Sequence, residues 1–167
     1  MENISGKTKK VTYLGLLAAL SLGIYALESA LPPIFPIPGI KPGLSNIITL
    51  YVLRRFGKKE SSLVLFMRIA LAGLLFGSGI SIVYSLAGGF GALLIEIIID
   101  AATKKKHLYI TGAFGGLIHN MCQLLTASVI MGSAYVFSYA PYLAISGIIT
   151  GLFTGLAASY LLNIKIQ

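Results

Sequence analysis

The sequence predicts an all-α integral membrane protein, a compact bundle of six transmembrane helices. Of its 167 residues, 56% are hydrophobic and only 11% are charged, and the mean hydropathy is +0.88. A soluble domain usually has about 25% charged residues. The net charge of +8 comes from short basic clusters between long apolar runs, which is typical of multi-spanning membrane proteins. This pattern excludes an ordinary cytosolic domain, a disordered chain and a nucleic-acid-binding module, and a single cysteine excludes a disulfide scaffold.

Six apolar runs account for the predicted helices in a single membrane domain, residues 1–167. We expect the helices at about 11–31, 43–56, 61–77, 80–102, 108–131 and 139–162. A membrane span needs about 20 residues. The second run has only about 14, so we expect a short, tilted or displaced helix there. Prolines, which lack a backbone N–H, end the first run.

The basic residues predict the topology. They lie before helix 1, between helices 2 and 3, between helices 4 and 5, and after helix 6. They are Lys7, Lys9, Lys10, Arg54, Arg55, Lys58, Lys59, Lys104, Lys105, Lys106 and Lys165. Six helices put all of these on one side and leave Lys41 on the other. The positive-inside rule then predicts a multi-pass cell-membrane protein with both termini in the cytoplasm.

Small residues recur at four-residue spacing on several helices, where they let backbones approach closely. These ridges are Gly15, Ala19 and Gly23 on helix 1, Gly112 and Gly116 on helix 5, and Gly147, Gly151 and Gly155 on helix 6. Each ridge either packs inside the bundle or forms a docking surface for a separate membrane protein. Helix 1 is the best candidate for docking.

Arg68 is a charge inside the third apolar run, where it costs about 2.5–3.5 kcal/mol on insertion scales. It therefore needs a partner. Glu96 on the antiparallel fourth helix is expected at a similar depth, so we predict an Arg68–Glu96 ion pair. This pair is either a structural clamp or a switch that contacts a ligand.

Polar residues also interrupt the fifth helix. His119, Asn120 and Gln123 are three or four residues apart and therefore neighbours on the helix surface. They either bond to other helices or line a pocket. No metal site is expected, because His107 is far from His119 and there is no pair of cysteines.

The segment after helix 1 is rich in proline and carries isolated charges. Glu28 and Lys41 are the acid and the base on the outer side. They either pair with each other, or Lys41 contacts an anionic or carbonyl-bearing ligand. Asn46 either caps helix 2 or points inward.

Aromatic residues on the same side predict an interfacial belt, and some of them could stack on a flat ligand. They are Tyr84, Tyr135, Phe137, Tyr139 and Tyr142.

The six helices, the proline-rich loop and the run 41–46, Lys-Pro-Gly-Leu-Ser-Asn, resemble a known family. They are similar to the substrate-binding S components of energy-coupling factor (ECF) vitamin transporters. They more closely resemble the Gx transporters, also called heptaprenyl diphosphate synthase component I. The resemblance covers nearly the whole chain. It implies a ligand held near the outer face, and docking of helix 1, through Gly15, Ala19 and Gly23, on a transmembrane coupling subunit with a pair of ATPases.

We therefore expect a substrate-binding membrane subunit for uptake of a small vitamin, cofactor or cofactor precursor, powered by partner subunits. The residues expected to contact the ligand are Glu28, Lys41, Asn46, Tyr84, His119, Asn120, Gln123, Tyr139 and Tyr142. The alternative is a non-transporting accessory protein in prenyl-quinone (heptaprenyl diphosphate) synthesis or extracellular electron transfer. Prenyl elongation needs clustered aspartates to hold magnesium, and Asp100 is the one aspartate in the chain, so we expect no catalytic residues and no bound cofactor.

Overall fold

The computed structural model describes residues 2–30, 43–76, 79–104 and 106–164, with the backbone alone at 2–5. Across these ranges the chain forms six α-helices, a short 3-10 helix and no strand, which confirms the all-α class. The α-helices are α1 (Glu2–Ala30), α2 (Asn46–Arg55), α3 (Lys58–Phe76), α4 (Gly79–Ala102), α5 (Leu108–Met131) and α6 (Ala140–Asn163), and the 3-10 helix is Ala134–Tyr139.

The first helix begins much earlier than its apolar run. We expected α1 to start near residue 11, but it starts at Glu2 and includes the basic segment before the run. At 1.5 Å per residue its 29 residues span about 43 Å. That length exceeds the roughly 30 Å hydrocarbon core of a bilayer, so the basic turns project beyond the apolar part of the helix.

Four helical segments are long and apolar enough to cross a membrane. They are Gly6–Ala30, Gly79–Ala102, Leu108–Met131 and Ala134–Asn163. Helix α2 has ten residues, which span only about 15 Å, and α3 carries four charged side chains. The structure therefore supports a multi-pass membrane protein, while six passes and the side of the termini stay predictions.

Helix α2 is short, and other helices surround it. Seven of its ten residues are buried, and Ile48, Leu50 and Val52 are at most 2% exposed. They join a core that includes Leu17 of α1 and Leu65 of α3. A helix enclosed by protein does not have to match the thickness of the bilayer.

The ridges on α5 and α6 pack against each other inside the bundle. A Cβ atom added to Gly116 would collide with the carbonyl oxygen of Gly147, and one added to Gly155 would lie 2.6 Å from the Cα atom of Tyr109. The two backbones are therefore in direct contact, as small residues permit in membranes.

The ridge on α1 behaves differently. Gly15, Ala19 and Gly23 are all exposed, and a Cβ atom added to either glycine would meet nothing within 4 Å. Of the two roles weighed for this ridge, the described part of the chain does not use it for internal packing. We call these three residues the α1 stripe.

Two ion pairs tie four helices together at the end of the bundle that carries the basic clusters. Lys10 Nζ lies 2.6 Å from Glu60 Oε1, which connects α1 to α3 and lowers the pKa of the Glu60 carboxyl from its usual value. Arg54 pairs with Asp100, which connects α2 to α4. We call this the basic end.

The glycine ridges predict a matched pair of stability effects. Gly151→Ala should lower the free energy of unfolding by about 2 kcal/mol, because the new methyl group overpacks against the α5 backbone. Gly15→Ala should leave it unchanged or raise it by up to about 1 kcal/mol, because its methyl group meets open space in a helix. Thermal unfolding in detergent measures both. Equal shifts in the two variants would contradict the assigned packing.

Candidate functional site

The turn before α2 is held by a carboxylate from α1. Glu28 Oε1 accepts hydrogen bonds from the backbone N–H groups of Gly43 and Leu44, the second at 3.1 Å. Gly43 and Leu44 directly precede the helix, and their own carbonyl oxygens accept its first two N–H groups, those of Asn46 and Ile47. The N-terminus of a helix also favours a negative charge nearby. Glu28 therefore fixes the point at which α2 begins.

Gly43 is required at this turn for two reasons. Its φ of +80° lies in the left-handed region, which favours glycine. A Cβ atom there would also lie 3.1 Å from His119 Nε2 and 3.2 Å from Asn46 Nδ2. The turn at residues 43–46 thus brings its backbone against α5.

Arg68 completes the turn from the opposite side. Its guanidinium donates hydrogen bonds to Ser45 Oγ and to Asn46 Oδ1, the latter at 3.2 Å. The arginine is 3% exposed, so these acceptors replace water around a buried cation.

The predicted Arg68–Glu96 ion pair is wrong: no ion pair joins these two residues, both of which the structure describes. A Cβ atom on Gly89 would lie 3.4 Å from Arg68 Nη2, so the guanidinium is level with Gly89. Glu96 is seven residues further along α4, which is about 10 Å. It packs against Gly115 of α5 instead.

Asn46 connects Arg68 to helix α5. Its Oδ1 accepts from Arg68, so its Nδ2 is the group that faces His119 Nδ1, at 3.1 Å. In a neutral histidine ring Nε2 then carries the proton. His119 Nε2 and Arg68 Nε are both buried, and neither has a hydrogen-bond partner among the described residues. The site therefore holds two N–H groups that can still donate.

A cavity of about 10 Å³ lies within this group of side chains, with room for about one water molecule. Its described lining is Tyr25, Glu28, Gly43, Ser45, Arg68, Ser85, His119 and Gln123. We call Glu28, Ser45, Asn46, Arg68, His119 and Gln123 the polar cluster. The cluster gathers one anion, one cation and several neutral donors and acceptors in the half of the bundle remote from the basic end.

A family model matches most of the chain. The model for heptaprenyl diphosphate synthase component I matches residues 17–161. The chain belongs to the heptaprenyl diphosphate synthase component I family. This confirms the family suspected from the sequence, and the matched range contains the whole polar cluster. No curated protein and no solved structure matches the chain.

The residues that we expected to contact the ligand in this family member lie in different parts of the structure. Glu28, His119 and Gln123 line the cavity, and Asn46 bonds to two residues that line it. Asn120 turns instead to α6, where its Nδ2 donates to Leu143 O at 2.9 Å. Lys41 lies outside the described residues.

The three tyrosines expected at the ligand do not line the described cavity. Tyr84 is buried in a separate apolar cluster with Leu124 and Leu143, and Tyr139 packs against that cluster. Tyr142 is 67% exposed, as suits an interfacial aromatic belt.

Sequence reasoning missed Ser45, Tyr25 and Ser85 as parts of the site, and it gave Arg68 the wrong partner. The depth of Arg68 relative to α4 could have been predicted from the register of α3 against α4. Since α3 ends at Phe76 and α4 begins at Gly79, equal counts from the two ends place Arg68 opposite residue 87 and not opposite residue 96.

The described carboxylates do not fit a magnesium–diphosphate site of the kind that prenyl elongation requires. Asp100 is paired with Arg54. Within the described ranges, no group of three or more histidine, cysteine, aspartate or glutamate residues could hold a metal ion.

The polar cluster predicts that Asn46 is a stability determinant. Asn46→Ala removes a partner from both Arg68 and His119, so we expect a loss of at least about 2 kcal/mol in the free energy of unfolding. Thr150→Ala is the control, because the Thr150 hydroxyl bonds only within its own helix, to Ser146 O at 2.9 Å and to Gly147 O at 3.3 Å. Thermal unfolding of the two variants in one detergent makes the comparison. A loss for Asn46→Ala no greater than for Thr150→Ala would contradict the role of Asn46 as a bridge.

Proposed function

We propose that this chain is a non-catalytic membrane subunit that assists a separate enzyme in heptaprenyl diphosphate synthesis. The family match over residues 17–161 supports the link to this pathway. The observation that carries the non-catalytic role is that the one aspartate, Asp100, is already paired with Arg54. The carboxylates that bind magnesium and diphosphate would then come from the partner enzyme.

The α1 stripe supports assembly with another membrane-embedded subunit. Its residues face away from the bundle, and no described atom lies within 4 Å of a Cβ atom added to Gly15 or Gly23. A helix from a second protein could approach the α1 backbone closely there, which is how small residues promote association in lipid. We propose that the stripe is the contact with this neighbouring subunit.

A second candidate function is binding of a small ligand for uptake, as in the S components of ECF transporters. The polar cluster favours it, because His119 Nε2 and Arg68 Nε are buried donors beside a cavity. Such donors suit the carboxylate, phosphate or carbonyl oxygens of a vitamin, cofactor or precursor. In this function the α1 stripe would contact a transmembrane coupling subunit, and paired ATPases would supply the energy.

The two functions predict different partners. Affinity purification of the tagged full chain from cross-linked native membranes should recover a protein that forms heptaprenyl diphosphate, identified by mass spectrometry and by assay of the product. Recovery of a coupling subunit with two ATPases, and of no prenyl-forming activity, would contradict the main proposal and favour uptake.

The role of the α1 stripe has its own test. Gly15→Leu should abolish recovery of the partner while thermal stability is preserved, because no described atom lies within 4 Å of the new Cβ atom. Gly6→Leu is the matched control, since Gly6 is also on α1 with open space around it but lies outside the stripe. Equal recovery from the two variants would show that the stripe does not dock.

The uptake function predicts retention of a small molecule. Protein purified in mild detergent should then release a vitamin-sized compound on denaturation, detected by mass spectrometry. Lys41→Ala should lower this retention without changing the unfolding temperature. Absence of any retained compound would remove the second candidate.

A further inference from the structure

A second cavity lies on the lipid-facing side of the bundle, between α1, α2 and α6. It is an apolar groove of about 280 Å³. Its lining is Tyr13, Leu16, Leu17, Leu20, Ile48, Tyr51, Leu161 and Ile164. Leu16 is 65% and Leu20 is 52% exposed, so the groove opens sideways towards the hydrocarbon of the membrane. A groove of this kind takes a hydrocarbon chain.

The groove has a polar mouth at the basic end. The hydroxyl oxygens of Tyr13 and Tyr51 lie 3.0 Å apart and connect α1 to α2. Hydroxyl groups can donate to an oxygen-bearing head group as well as to each other.

Two walls of the groove, those formed by α1 and α2, continue into a basic residue one turn beyond the tyrosine. On α1 the lining residues Tyr13, Leu16 and Leu20 share a face with Lys9, since all are three or four residues apart. On α2, Tyr51 shares a face with Arg55 for the same reason. The mouth is therefore flanked by two cations from two helices.

These two cations are available for a ligand. Their chain neighbours Lys10 and Arg54 form the two ion pairs of the basic end. Lys9 and Arg55 are exposed, and neither forms an ion pair within the part of the chain that the structure describes.

We infer that this groove binds a single-chain isoprenoid diphosphate, with the prenyl chain along α1 and the diphosphate between Lys9 and Arg55. The choice of an isoprenoid rests on the proposed function, whereas the groove and its charged mouth do not. Two cations and two hydroxyl groups favour a head group with more than one negative charge. A diphosphate has this charge, and the phosphodiester of a common phospholipid does not.

Binding of heptaprenyl diphosphate to the delipidated full chain, measured by native mass spectrometry, tests the inference. Heptaprenyl diphosphate should bind at least about tenfold more tightly than heptaprenol, which lacks the charged head, and than phosphatidylglycerol. Lys9→Gln and Arg55→Gln should each weaken binding about fivefold, in line with about 1 kcal/mol for a cation near a membrane surface. Lys106→Gln, which removes a positive charge elsewhere at the basic end, should not.

The position of the prenyl chain in the groove is tested with tryptophan substitutions. Leu20→Trp should fill the groove and weaken binding at least about tenfold. Leu27→Trp, on the same helix but outside the groove lining, should leave binding unchanged. Thermal unfolding of each variant verifies that it is folded.

Three results would overturn the inference. They are equal affinity for heptaprenol or phosphatidylglycerol, equal weakening by Lys106→Gln, and equal weakening by Leu27→Trp. The proposed function fails separately, through recovery of the wrong partner from membranes. If a prenyl-forming partner is recovered but heptaprenyl diphosphate does not bind the groove, the proposed function stands and this inference fails. If heptaprenyl diphosphate binds the groove but no such partner is recovered, this inference stands and the proposed function fails.

Discussion

A buried arginine must be hydrogen-bonded, and this requirement organises the half of the bundle that holds the polar cluster. Arg68 finds its acceptors on Ser45 and Asn46, at the start of α2. This places α2 against α3, and the carboxylate of Glu28 then binds the same turn from α1. The Arg68 cation and the Glu28 anion thus bind residues 43–46 from opposite sides, and these contacts set the position of α2.

The same contacts hold the start of α2, and a further ion pair holds its end. The helix is anchored at its start by Arg68 and Glu28, and near its end by the pair of Arg54 with Asp100. Between these anchors its side chains fill the core. It is positioned by protein contacts at both ends, so lipid does not set its length.

Composition and apolar run length were sufficient to predict the all-α class, because a membrane leaves few ways to satisfy a backbone, and they placed the ends of α4, α5 and α6 within one residue. The start of α1 was missed, because the basic segment before its apolar run is also helical. The run 41–46 and the polar residues of α5 also pointed to the site. The partner of Arg68 was mispredicted because depth was counted from the apolar run and not from the α3–α4 connection. The placement of Tyr142 depends on which way α6 faces, which a uniformly apolar helix does not reveal.

Helix α1 links the two ends of the bundle. Its 29 residues contain no proline, and the structure shows one unbroken helix from Glu2 to Ala30. Glu28 lies near one end of this helix, and Lys9 lies near the other. One continuous backbone therefore connects the polar cluster, through Glu28, to the polar mouth of the apolar groove, next to Lys9. The polar cavity and the apolar groove, at opposite ends of the bundle, therefore have one helix in common as a wall.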